Sequence, residues 1–141
     1  MDPLLCAELM ARLNRDAALI AARFGLRYRA IEPERPRVKR RYGVCYRDGT
    51  IRIRLAHVVT GRPLLYSSLV ATLCHELAHL RHFDHGARFR SFNQHVLEWA
   101  RQAGIYRPRA ERETSNAVPA RRLSPCAVRS TEAPRQLTLF S

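Results

Sequence analysis

The stretch His75-Glu76-Leu77-Ala78-His79-Leu80-Arg81-His82-Phe83-Asp84-His85-Gly86 sets the geometry around which the rest of the chain has to be arranged. On a helix of 3.6 residues per turn, residues four apart differ by about 40° in azimuth and about 6 Å in rise. His75 and His79 can therefore turn two imidazoles toward one ion, with Glu76 projecting beside them. A carboxylate in that place can take a proton from an attacking water and pass it to a leaving amine. This is the arrangement of HExxH zinc peptidases. A catalytic zinc needs three protein ligands and an open position, and His85 is the expected third ligand. Ten residues after His75, His85 would lie about 80° round and about 15 Å along an unbroken helix. The helix must therefore stop and fold back, and Asp84-His85-Gly86 supplies the break. His82 competes for the same role, but its azimuth is about 300° from His79, with about 4.5 Å of added rise. The pattern favours His85.

Outward from this stretch, the flanking segments read as a core. Residues 64–81 are apolar on most sides (Leu65, Leu69, Val70, Leu73, Leu77, Leu80), which predicts a central helix begun by Pro63. Residues 87–103 predict another helix, with Phe89, Phe92, Val96, Leu97 and Trp99 on its buried side and Gly104 ending it. Upstream, Leu5, Leu9, Leu13, Ile20 and Phe24 recur at helical spacing over 4–24 until Gly25. Residues 26–31 alternate apolar with Arg and predict a strand, and the two prolines in 32–36 predict a connection. Two β-rich runs, 38–47 and 50–55, flank Asp48-Gly49 and predict a hairpin with Ile51, Ile53 and Leu55 on one face and Arg52 and Arg54 on the other.

The chain has 141 residues, room for one domain, with 25 basic against 12 acidic side chains. Every basic residue but Lys39 is arginine. A surplus of +13 points to a polyanionic partner, nucleic acid first. No apolar run reaches the roughly 18 residues of a membrane span. The opening residues carry Asp2 and Glu8 and no basic region, so no secretory signal is expected and a cytoplasmic setting is. The four cysteines (Cys6, Cys45, Cys74, Cys126) form no CxxC pair, which argues against a zinc ribbon, and Cys6 and Cys74 read as buried thiols. His57 and His95 read as surface or structural histidines.

The order Arg41-Tyr42-Gly43-Val44-Cys45, then 51–55, then Ala71-Thr72-Leu73-Cys74 running into His75–His79, then His85-Gly86-Ala87-Arg88-Phe89, resembles the SprT-like and YgjP-like metallopeptidases over roughly residues 5–105. The resemblance implies a small gluzincin-like α+β domain. In it an active-site helix packs under a short antiparallel or mixed sheet, and the edge strand of that sheet holds extended peptide by strand addition. It implies Zn²⁺ on His75, His79 and His85, with Glu76 as base and then acid. Tyr46, Tyr66, His82 and Tyr106 all remain open as stabilisers of the oxyanion. Metzincins share the ligand spacing but require Gly where this chain has His82, which sets them aside. The similar eukaryotic Spartan proteins degrade proteins crosslinked to DNA and carry a clamp-binding motif of their own kind. That parallel gives the charge a reading. Between Arg27 and Arg54 stand ten basic and three acidic residues, and Arg40, Arg41, Arg52 and Arg54 are the expected DNA contacts.

These readings divide the chain into a metallopeptidase domain over 1–106, a basic tether over 107–135 without periodicity and expected to be disordered, and a peptide at 136–140. That peptide, Gln136-Leu137-Thr138-Leu139-Phe140, is similar to the bacterial sliding-clamp-binding pattern. Gln136, Leu137, Leu139 and Phe140 are its expected contacts. The expected function is a zinc-dependent endopeptidase acting on DNA-associated or DNA-crosslinked proteins, brought to the nucleoid by the clamp. The alternative is a general intracellular zinc peptidase or regulatory protease without DNA dependence. A non-catalytic zinc module is disfavoured, because such a module has no need of Glu76.

Overall fold

A computed structural model describes residues 1–110; the expected clamp peptide and nearly all of the expected tether lie outside the described residues. Six elements follow in order: α1 (Pro3–Phe24), β1 (Ala30–Pro33), β2 (Gly43–Cys45), β3 (Thr50–Ile53), α2 (Tyr66–His79) and α3 (Ala87–Gln102). The fold is α+β. Its sheet is mixed, in the order β1-β3-β2, with β1 parallel to β3 and β2 antiparallel to it. Helix α2 packs against β2 and β3 and against both other helices, so the expected central helix is central. Among the described residues no helix is long and apolar enough to cross a membrane.

Helix α1 ends where Gly25 takes φ 67°, a left-handed conformation cheap only for glycine. Leu26 N–H then donates back to Ala21 O at 2.9 Å. The helix buries Leu13, Ala17, Ile20 and Ala21, and sets Phe24 edge-on to Phe92 (5.6 Å) and Trp99 (6.1 Å) of α3. Leu69, Val70, Leu73, Cys74 and Leu77 of α2 are all fully buried and share one core with Ile31, Ile51 and Ile53 of the sheet. Each such branched side chain contributes about 2 kcal/mol through removal from water. Cys6, Cys45 and Cys74 are free thiols. Burial pushes the Cys74 thiol up to about 12, which keeps it protonated and inert.

The hairpin forms around Asp48-Gly49, with Cys45 opposite Ile51 and Gly43 opposite Ile53. Gly49 at φ 95° closes the turn, its N–H reaching Tyr46 O at 3.0 Å while Tyr46 N–H reaches Thr50 O at 2.8 Å. This is the turn-plus-left-handed-glycine connection that matches strand twist.

Three local expectations give way to longer-range hydrogen bonding. The first strand lies at Ala30–Pro33, later than 26–31, because its parallel register with β3 pairs Ile31 with Ile51 and Pro33 with Ile53. β1 is an edge strand, where a proline at the end is tolerated. The run 38–41 joins no ladder, because the Arg54 side chain takes the carbonyls of Val38 and Arg41. Pro63 does not start α2: it bridges Ala56, and Leu64 N–H donates to Leu55 O at 2.9 Å, so the helix waits for Tyr66.

Candidate metal centre

Helix α2 stops at His79, and the chain folds back through 80–86 into α3. Leu80, Arg81 and His82 N–H groups turn onto the carbonyls of Leu77 and Ala78. Asp84 then caps the reversal by accepting Gly86 N–H at 2.9 Å. This return brings His85 over the helix end. His79 Nε2 and His85 Nε2 lie 3.0 Å apart, His85 Nε2 and His75 Nε2 lie 3.4 Å apart, and the three candidate ligand atoms all lie within 4.8 Å of one another. Among the described residues this is the one such cluster, and His82 is not in it. His57 and His95 are exposed and also outside it.

The donor set fits a dication. His79 Nδ1–H donates to the carbonyl of His82 at 3.0 Å, which leaves its Nε2 as a lone pair. Burial pulls the His79 imidazole down to about 4, so it stands neutral at ordinary pH, as a ligand must. Lone pairs facing one another at 3.0 Å repel unless a proton or a cation lies between them. Three convergent imidazole nitrogens are a ligand set for first-row transition dications.

The surroundings are dry on one side. Phe89, at the start of α3, stacks on His79 (4.3 Å between centroids, 17° between planes) and stands edge-on to His75 (4.9 Å) and His85 (5.2 Å). Arg90 Nη1 donates to His85 O at 3.2 Å and steadies the return loop. Arg47, at the hairpin tip, lies over the Phe83 ring of that loop at 5.6 Å. Glu76 is buried, 5% exposed, against β2.

The three histidines expected as ligands are neighbours at one helix end, and Glu76 lies on that same helix. Phe89 is in the core as its spacing predicts, but nothing in the spacing says that one ring supports all three imidazoles. The side chain of His82 was the competing ligand, whereas its backbone carbonyl is what touches the cluster; that contact carries no residue-type signal. The oxyanion candidates thin out. Tyr66 is buried at the opposite end of α2, its hydroxyl donated to Asp16 Oδ2 at 2.7 Å under the guanidinium of Arg12. The His82 ring lines a shallow groove with Ala87, Arg88, Ser91, Phe92 and His95.

The four arginines expected to meet DNA are not equivalent. Arg40 is exposed. Arg41 is ion-paired with Glu34 at 3.0 Å and donates to Tyr46 Oη at 3.3 Å, and Arg52 is paired with Glu32 at 3.4 Å. Arg54 corrects the expectation of an outward face: it is 7% exposed, its Nε donating to Arg41 O at 3.1 Å and its Nη2 to Val38 O. A strand of alternating Ile and Arg is expected to turn its Arg to solvent. Here the loop 34–42 folds over that face and makes the arginine its internal hydrogen-bond donor.

A sequence profile of the YgjP-like metallopeptidase domain matches residues 1–104. No curated protein and no solved structure matches the chain.

Proposed function

The chain belongs to the YgjP-like metallopeptidase family, and from that premise we propose that it is a zinc-dependent endopeptidase with His75, His79 and His85 as ligands and Glu76 as general base and acid. The observation that carries the reading is the convergence of the three imidazole nitrogens at 3.0 and 3.4 Å, with the buried Glu76 on the same helix as two of them. Zinc, when bound, polarises the scissile carbonyl and makes water nucleophilic near neutral pH. The chain's own residues do the rest. The His82 carbonyl holds the His79 ring in the tautomer that offers Nε2, and Phe89 keeps bulk water from the back of the cluster. Glu76 accepts the proton of the attacking water and returns it to the leaving amine. β2 is an edge of the sheet, so its free side suits an extended substrate added as a further strand.

Action on DNA-associated proteins is the finer part of this proposal. It is supported by four exposed cations in the loop before β2, Arg35, Arg37, Lys39 and Arg40, which take over the role expected of Arg52 and Arg54. Recruitment to the nucleoid by the sliding clamp rests on Gln136, Leu137, Leu139 and Phe140, which would raise the local concentration of the peptidase at replicating DNA. Purified protein is expected to carry zinc and to cleave casein or histone. Cleavage should stop with chelator and in Glu76→Gln, which retains the metal. It should rise with single-stranded DNA and lose that rise in Arg37→Glu/Arg40→Glu. A peptide of residues 131–141 should bind bacterial clamp, and its Leu139→Ala/Phe140→Ala form should not. Undiminished cleavage by Glu76→Gln would sink the hydrolase assignment. Cleavage indifferent to DNA would leave a peptidase without DNA dependence.

A further inference from the structure

β2 turns its smallest side chains toward the active-site helix. Gly43 and Cys45 are two apart and share a face, with Val44 opposite. Gly43 does not have the positive φ of Gly25, Gly49, Gly61 and Gly104, so its backbone conformation is open to any residue. Its requirement is space. A Cβ on Gly43 would lie 2.7 Å from Thr72 Cγ2 and 3.1 Å from both Cγ and Oε2 of Glu76, against an ordinary carbon contact of about 3.5 Å or more.

Little around this point can retreat. Gly43 is paired with fully buried Ile53. The segment just before it is held by the Arg54 guanidinium on the carbonyls of Val38 and Arg41. Thr72 sits within α2 and is stiff at χ1. Of the two crowded side chains, Glu76 has three torsions through which it can shift and Thr72 has one.

We propose that Gly43 is a positioning residue: its missing side chain sets where the Glu76 carboxylate lies against the edge strand, so that any larger residue there moves the base off its place. This rests on the reading of Glu76 as the base and deepens it. One carboxylate oxygen of Glu76 lies against the backbone of β2 at Gly43. Catalytic groups tolerate about 0.5 Å of misplacement before rate is lost.

The test is Gly43→Ala, with Thr72→Ser, the double variant and Glu76→Gln alongside. Crystal structures of wild type and Gly43→Ala should show the carboxylate shifted by about 0.5 Å or in a new rotamer. With fluorescent casein, kcat of Gly43→Ala should fall about tenfold or more, with KM within about twofold and zinc content unchanged. Thr72→Ser removes the methyl that makes the 2.7 Å contact and leaves the crowding of Glu76. The double variant should therefore recover the melting temperature of wild type but not its kcat. If Gly43→Ala folds poorly, the double variant supplies both the structure and the kinetics. A carboxylate still in its wild-type place, or a kcat that returns together with stability, overturns the proposal. An inactive Glu76→Gln beside a fully active Gly43→Ala rejects the role of Gly43 alone. A fully active Glu76→Gln rejects the base.

Discussion

Acidifying the metal-free protein should destabilise it through His79. The imidazole titrates near 6.5 in an unfolded chain, and burial brings it to about 4 in the fold. The folded state thus refuses a proton that the unfolded state accepts. Stability is intact above the unfolded value and is lost as pH falls from about 6.5 toward about 4. A tenfold difference in proton affinity between the two states is worth about 1.4 kcal/mol, so His79 costs about 2 kcal/mol at pH 5 and about 3 kcal/mol once pH is below both values. That is a large share of the roughly 5–15 kcal/mol typical of a domain. The assay is urea unfolding of chelator-treated protein between pH 7.5 and 4, beside His79→Gln, which cannot titrate. Carboxylates shared by both proteins cancel in the difference. The wild-type curve should fall more steeply than that of His79→Gln by about 2 kcal/mol between pH 7 and 5. Parallel curves would refute the argument, because they would mean that burial does not hold the imidazole neutral against the pull of the His82 carbonyl toward the charged form.

His85→Ala should weaken zinc binding far more than His82→Ala in a competition titration, since alanine at 82 keeps the carbonyl that holds His79; the reverse ranking would exchange their roles. Leu73→Ala, at a fully buried position of α2, should lower unfolding free energy by about 3 kcal/mol in urea, and a loss under about 1 kcal/mol would place that side chain outside a packed core. Arg54→Met should cost about 3 kcal/mol by stripping two carbonyls of their donor and should speed amide exchange across 36–42; unchanged exchange there would mean the loop is held by other contacts.

What was legible in the sequence was written in short-range rules. Gly25 ends α1 because the left-handed cap favours glycine, and Asp48-Gly49 turns the hairpin because the turn demands a positive φ. His75, Glu76 and His79 share a helix end because of the helical period alone, and His85 had to return because no straight helix could bring it near. These depend on neighbours within a turn or two, and residue types carry them.

The rest depended on partners far apart in the chain. The place of β1 was decided by its ladder with β3, about twenty residues on, and overrode the alternation at 26–31. Arg54 reads as a surface cation until loop 34–42 closes over it and buries its guanidinium on two carbonyls. Phe89 reads as one more core aromatic until α3 packs on α2 and sets its ring among three imidazoles. Residue types announce a ligand or a turn because the chemistry needed is in the side chain. Which backbone carbonyl holds an imidazole, and which glycine leaves room for a carboxylate, depends on how closely two elements approach, and that distance exists only once the core has packed.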